Sequence, residues 1–176
     1  MNYEFIQEAA EYVRTQMHVQ PKIGIILGSG LGPIAEKITG KTEISYGEIP
    51  HFACSTAPGH KGQLVCGKLG DVEVICMQGR LHYYEGHSMD SIVFPVRVMR
   101  LLGVDTLIVT NAAGGINLSY QVGDLMLIED HINFLGFNPL IGPNAAEFGP
   151  RFCDMTHTYT PALRRIAQAA ADKLDI

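Results

Sequence analysis

Three short apolar runs, each emptying into a loop rich in glycine or in hydrogen-bonding side chains, constrain this chain more than any other feature. The first, residues 23–27, is Ile-Gly-Ile-Ile-Leu and does not alternate, which suits a strand buried on both faces, as in a parallel sheet. It runs into Gly28-Ser29-Gly30-Leu31-Gly32. The second, 72–77, precedes Gln78 to His87, and the third, 105–110, precedes Asn111-Ala112-Ala113-Gly114-Gly115. If all three are parallel strands, their loops open together at the carboxyl edge of the sheet, where α/β folds place their ligands.

The rest of the pattern fits a sheet covered by helices. Residues 3–17 carry Tyr3, Ile6, Ala9, Ala10, Val13 and Met17 at helical spacing with polar residues between them. A short helix is expected from Pro33 to Ile38, with proline at its first position. Residues 63–68 and 72–77, joined by Leu69-Gly70-Asp71, read as a hairpin, and residues 43–46 as a strand. Ser88 is a natural N-cap for a helix that Gly103 stops and that Pro95 should kink. A fourth apolar run, 125–134, is expected to be a further strand; 136–150 is a Pro/Gly-rich loop, and Thr160-Pro161 should cap a final helix through Leu174. Alternating strands and helices predict an α/β fold with a mixed, largely parallel β-sheet flanked by helices. At 176 residues a single domain, 1–176, is expected.

Composition narrows the partners. With 13 basic and 18 acidic residues the net charge is −5, which disfavours a general nucleic-acid or membrane surface while leaving room for a local cluster that holds one anion. The four cysteines form no C-x-x-C pair, and no metal site is expected. The first residues lack a basic and an apolar signal region, and the longest uncharged stretch, 106–123, is broken by glycines and amides. The expectation is a cytoplasmic protein with reduced thiols. Nineteen glycines, about 11% against a usual ~7%, gather in the loops rather than in a repeat.

Those loops suit an anion. The first offers Ser29 and backbone N–H groups near a helix start, the third offers N–H groups in a glycine-rich turn, and the second supplies Arg80, whose planar fork matches phosphate, with His82 two residues on. Competing readings stand beside each. Gly28-x-Gly30-x-Gly32 is not the dinucleotide fingerprint, because position 33 is proline, and no G-K-[ST] forms a P-loop. Glycines also serve tight turns. Arg80 has a surface ion-pair reading with Glu85, Tyr83, Tyr84 and Phe152 have a core reading, and His60, His82 and His87 are not spaced as a helical metal face. Met77, Met99 and Met126 read as packing residues.

Taken together, Gly28-Ser29-Gly30-Leu31-Gly32, Pro58-Gly59-His60-x-Gly62, Gly79-Arg80-Leu81-His82-Tyr83-Tyr84-Glu85-Gly86, Phe94-Pro95-Val96-Arg97 and Val109-Thr110-Asn111-Ala112-Ala113-Gly114-Gly115 resemble the trimeric purine nucleoside phosphorylases. So do residues 123–133 and Gly142-Pro143-Asn144. Asn111-Ala112-Ala113-Gly114-Gly115 is more similar to the inosine/guanosine enzymes than to the methylthioadenosine phosphorylases. The resemblance implies phosphorolysis: a purine nucleoside and inorganic phosphate give the free base and ribose 1-phosphate, phosphate being a co-substrate and no cofactor being required. It implies Ser29, His60, Arg80, His82 and the Ala112 N–H at the phosphate, Tyr84 at the ribose, and Glu85 orienting the histidine network. Phe152 would be donated across a homotrimer interface.

The resemblance also implies a longer chain. Family members continue past residue 176 with the Glu and Asn that hold and protonate the purine, a further phosphate-binding Ser, and a His and a Met at the ribose. A C-terminal truncation that keeps the phosphate half-site is therefore expected, and an inactive fragment or interaction module is the alternative to a phosphorylase.

Overall fold

The computed structural model describes residues 2–54 and 61–176, and the chain divides into two compact units, Met1–Ala112 and Ala113–Ile176. In the first, helix α1 (Tyr3–Gln16) starts where the Asn2 side chain accepts the Glu4 N–H at 3.0 Å and buries Ile6, Ala9, Ala10 and Val13. That is the i, i+3, i+4, i+7 stripe of its sequence. It packs on α2 (Met89–Leu101). Ser88 caps α2 as expected, its Oγ accepting the Ser91 N–H at 3.2 Å, and the chain turns away at Gly103 with φ +103°.

The sheet consists of β1 (Ile23–Leu27), β2 (Thr39–Ser45), β3 (Gln63–Leu69), β4 (Val72–Gln78) and β5 (Thr106–Val109) in the order β2-β3-β4-β1-β5. β1 pairs in parallel with both β4 and β5, while β2, β3 and β4 form antiparallel pairs. The sheet is mixed, as the sequence predicts, and the 63–78 hairpin is present. β2 begins earlier than the apolar signal, because only Ile44 of its seven residues is buried.

β1 explains its own lack of alternation. Ile25 and Leu27 join Val65, Val74 and Cys76 in a cluster closed by Ala35 and Ile38. Gly24 faces the other way, so close to α2 that a Cβ there would lie 3.2 Å from Met99 Sδ. Both faces are covered, so both parities must be apolar. The expected helix at 33–38 is a 3₁₀ helix, Gly32–Lys37, with proline in its first turn.

The second unit holds one α-helix, α3 (Pro161–Leu174), a short 3₁₀ helix, Ala146–Phe148, and otherwise turns and irregular chain. Three expectations are corrected here. No strand forms over 125–134, where Leu125, Ile132 and Phe134 are strongly exposed; apolar character makes a strand only where a neighbour completes its ladder. Thr160 precedes α3, with Pro161 in the first turn, but its side chain caps no N–H. Met126, expected in packing, is 55% exposed, whereas Met77 and Met99 are buried. Among the described residues no helix is long and apolar enough to cross a membrane.

Candidate functional site

Because β4, β1 and β5 run parallel, the loops after Gln78, Leu27 and Val109 leave the same edge of the sheet. The first is a tight turn closed by the Leu31 N–H on the Gly28 carbonyl at 3.1 Å. Two of its glycines are required for different reasons. Gly30 has φ +83°, a conformation that L side chains rarely adopt. At Gly28 a Cβ would come within 2.6 Å of the Thr110 carbonyl oxygen, so only glycine lets the loop lie against the end of β5. Ser29, between them, is exposed. Beside it a cleft of about 240 Å³ is lined by Ser29, Gly30, Pro33, Glu36, Lys61 and Gln78.

In the second loop Arg80 Nη1 donates to the Thr110 carbonyl at 2.7 Å, which fixes the guanidinium at the root of the third loop. His82 is held by Glu85, whose Oε2 takes the His82 backbone N–H at 2.8 Å and lies 2.9 Å from Nδ1. The Glu85 side chain is only 3% exposed. A carboxylate only accepts, so Nδ1 carries the hydrogen, and in the neutral ring Nε2 is the acceptor. Tyr84 stacks on the His82 ring with centroids 4.8 Å apart. The third loop begins with Asn111 and Ala112, both exposed.

Around these side chains lies a polar frame. Gln78, 4% exposed at the end of β4, donates from Nε2 to the Gly32 carbonyl at 3.0 Å and accepts from Gln63 Nε2 at 2.8 Å. The buried Tyr46 hydroxyl donates to the Gly79 carbonyl at 2.7 Å, and burial raises its pKa. On the wall of the cleft Glu36 lies 2.7 Å from Lys61 and 3.0 Å from Lys41; the hydrogen bonds from Lys61 and then Lys41 hold its carboxyl down at about 2. Among the described residues no cluster of three or more His, Cys, Asp or Glu could hold a metal ion.

Residues 22–176 match the family model described as the phosphorylase superfamily. The chain belongs to that superfamily. It is 54% identical over 171 residues to purine nucleoside phosphorylase 1 of Bacillus subtilis, covering 97% of this chain and 63% of that protein. Among solved structures, isoform 2 of the Schistosoma mansoni purine nucleoside phosphorylase, in complex with cytosine and ribose-1-phosphate, superposes with a TM-score of 0.92 at 48% identity. The match covers 99% of this chain and 62% of that one. A schistosoma purine nucleoside phosphorylase in complex with hypoxanthine superposes at 0.91 and 42% identity, covering 98% and 61%. The chain thus spans between half and two-thirds of the length of the relatives it matches.

Within this superfamily chain, Ser29, Arg80, His82, Tyr84, Glu85 and Ala112 all fall on the three loops of the first unit. His60 lies outside the described residues. Phe152 belongs to the second unit and is 90% exposed. The core reading of the loop aromatics is removed, since Tyr83 and Tyr84 are 51% and 78% exposed. Sequence reasoning missed Tyr46, Gln78 and Thr110. For two of them a signal was present in the chain: Gln78 and Thr110 are the first polar residues after apolar strand runs, where a side chain sits inside the fold yet borders the loop.

Proposed function

We propose that the chain carries the phosphate and ribose half of a purine nucleoside phosphorylase site, acting on nucleosides such as inosine and guanosine. One observation carries this reading: three parallel strands open their loops at one edge, with Arg80 tied to the base of the third loop and His82 oriented by Glu85. Phosphate would sit among Ser29, Arg80, His82 and the Ala112 N–H, with His60 as a further ligand and Tyr84 against the ribose. As the glycosidic bond breaks, its electron pair leaves with the purine, which takes up a proton, and the ribosyl carbon becomes cationic. A phosphate oxygen beneath the ring stabilises that charge and then bonds to the anomeric carbon, with inversion. Positioning and electrostatics carry the rate, with no covalent enzyme intermediate. Phosphate is the co-substrate and no cofactor takes part.

The relatives' names and bound molecules support a nucleoside substrate. A homotrimer in which Phe152 reaches a neighbouring site, in the cytoplasm, completes the reading. The deciding assay is release of hypoxanthine from inosine by the purified chain, with and without phosphate. Phosphate-dependent release supports the phosphorylase reading and its absence the inactive fragment, and Arg80→Ala should weaken the phosphate response at least ~10-fold, or about 1.4 kcal/mol. An unchanged response in that variant would remove Arg80 from the site. Light scattering checks the assembly, and a monomer would take Phe152 out of the neighbouring site.

A further inference from the structure

We infer that Thr110 is a positioning residue that locks the anion-facing loops into one arrangement; this rests on the phosphate reading above. The parallel ladder between β1 and β5 ends at the pair Ile26↔Val109. Immediately beyond it the Thr110 N–H still donates to the Ile26 carbonyl at 3.0 Å, and the Thr110 side chain adds two further bonds. Its Oγ1 accepts the Gly28 N–H at 2.9 Å and donates to the Ile26 carbonyl at 3.0 Å. The donor on one side and the acceptor on the other leave one orientation for the hydroxyl proton, toward Ile26. The same residue's carbonyl accepts Arg80 Nη1 at 2.7 Å.

One residue therefore touches the first loop through its hydroxyl and the second through its carbonyl, and its own peptide bond begins the third. Gly28 completes the fit, because its lack of a Cβ permits the close approach to Thr110 O. Any shift of Thr110 moves the Arg80 fork and the Gly28–Leu31 turn together. Fixing donors in advance spares the ordering cost at binding. Valine has the shape of threonine but would leave the buried Gly28 N–H without its acceptor, loosening the turn that presents Ser29. Serine keeps the hydroxyl.

The test is titration of the 176-residue chain with inorganic phosphate, by calorimetry or ³¹P NMR, in the parent and in Thr110→Val, Thr110→Ser and Arg80→Ala, with thermal melts alongside. Thr110→Val is expected to bind phosphate about tenfold more weakly at temperatures well below its melting transition, while Thr110→Ser stays within about threefold of the parent. If Thr110→Val does not fold, Thr110→Ala takes its place with the same expected loss. Parent-like affinity in the valine or alanine variant, beside a loss in Arg80→Ala, overturns the role of Thr110 and leaves the phosphate site standing. A tenfold loss in Thr110→Ser overturns it as well, since the hydroxyl would not be what matters. A parent chain that ignores phosphate overturns the site reading and this role with it.

Discussion

Met1–Ala112 and Ala113–Ile176 differ far more in burial than in composition. The first unit buries Val65, Ile75, Cys76 and Val98 completely, whereas every residue of the second is half-buried or exposed, including Ile116, Leu118 and Val122 at 94% or more. Apolar residues therefore stabilise only where the chain provides something to bury them against. A strand with a paired neighbour and a helix overhead gains both hydrogen bonds and packing. The 125–134 run gains neither within its unit.

Hydrogen exchange is the strongest way to break this contrast. Amides of β1 and β4 should be protected roughly 10³-fold or more, and those of 113–159 should exchange close to the unstructured rate. Equal protection in both units would show that the second owns a core after all. Next in size is a pair of truncations. Ile75→Ala, at a fully buried position, should cost about 2–5 kcal/mol in urea unfolding, against a change within about 0.5 kcal/mol for Ile116→Ala.

High pH sharpens the same comparison, because burial pushes both Cys66 and Cys76 up to about 12, while Cys54 and Cys153 are exposed. An unfolded thiol ionises near 8.5, so between about 9 and 12 the unfolded chain has lost a proton that the folded chain keeps. Stability is then indifferent to these thiols below about pH 8 and falls by up to about 1.4 kcal/mol per pH unit for each above it. Unfolding midpoints at pH 8 and 10.5 should show a shallower loss in Cys66→Ala than in the parent; the same loss in both would contradict the assignment. The smallest effect compares two helix starts. Ser88→Ala removes a capping bond and should cost about 1 kcal/mol, whereas Thr160→Ala, which removes no such bond, should change melting by a few tenths at most.

Much of the first unit was legible because local pattern and tertiary outcome agree. The stripe from Ile6 to Val13, the Ser88 cap, the hairpin turn at Gly70 and the two-faced run of 23–27 each carry their structure in a few neighbouring residues. The candidate site was legible in part for the same reason: Ser29, Arg80 and His82 stand next to strand ends, so locating the strands located them. Tyr46 was not legible, since its importance is a 2.7 Å bond to Gly79, 33 residues away. The strand expected at 125–134 failed for the converse reason, apolar character being local and pairing not.

By itself, then, the sequence determined the apolar runs, the turns at glycine and the residue types offered to an anion. Those follow from short-range sterics and from hydrophobic periodicity, which a stretch of ten residues already contains. Only the tertiary structure decided that β1 lies between β4 and β5 and that Thr110 meets both Gly28 and Arg80. Contacts across 30 and 82 residues exist only once the chain has met the entropy cost of closing those loops, and no local pattern encodes them.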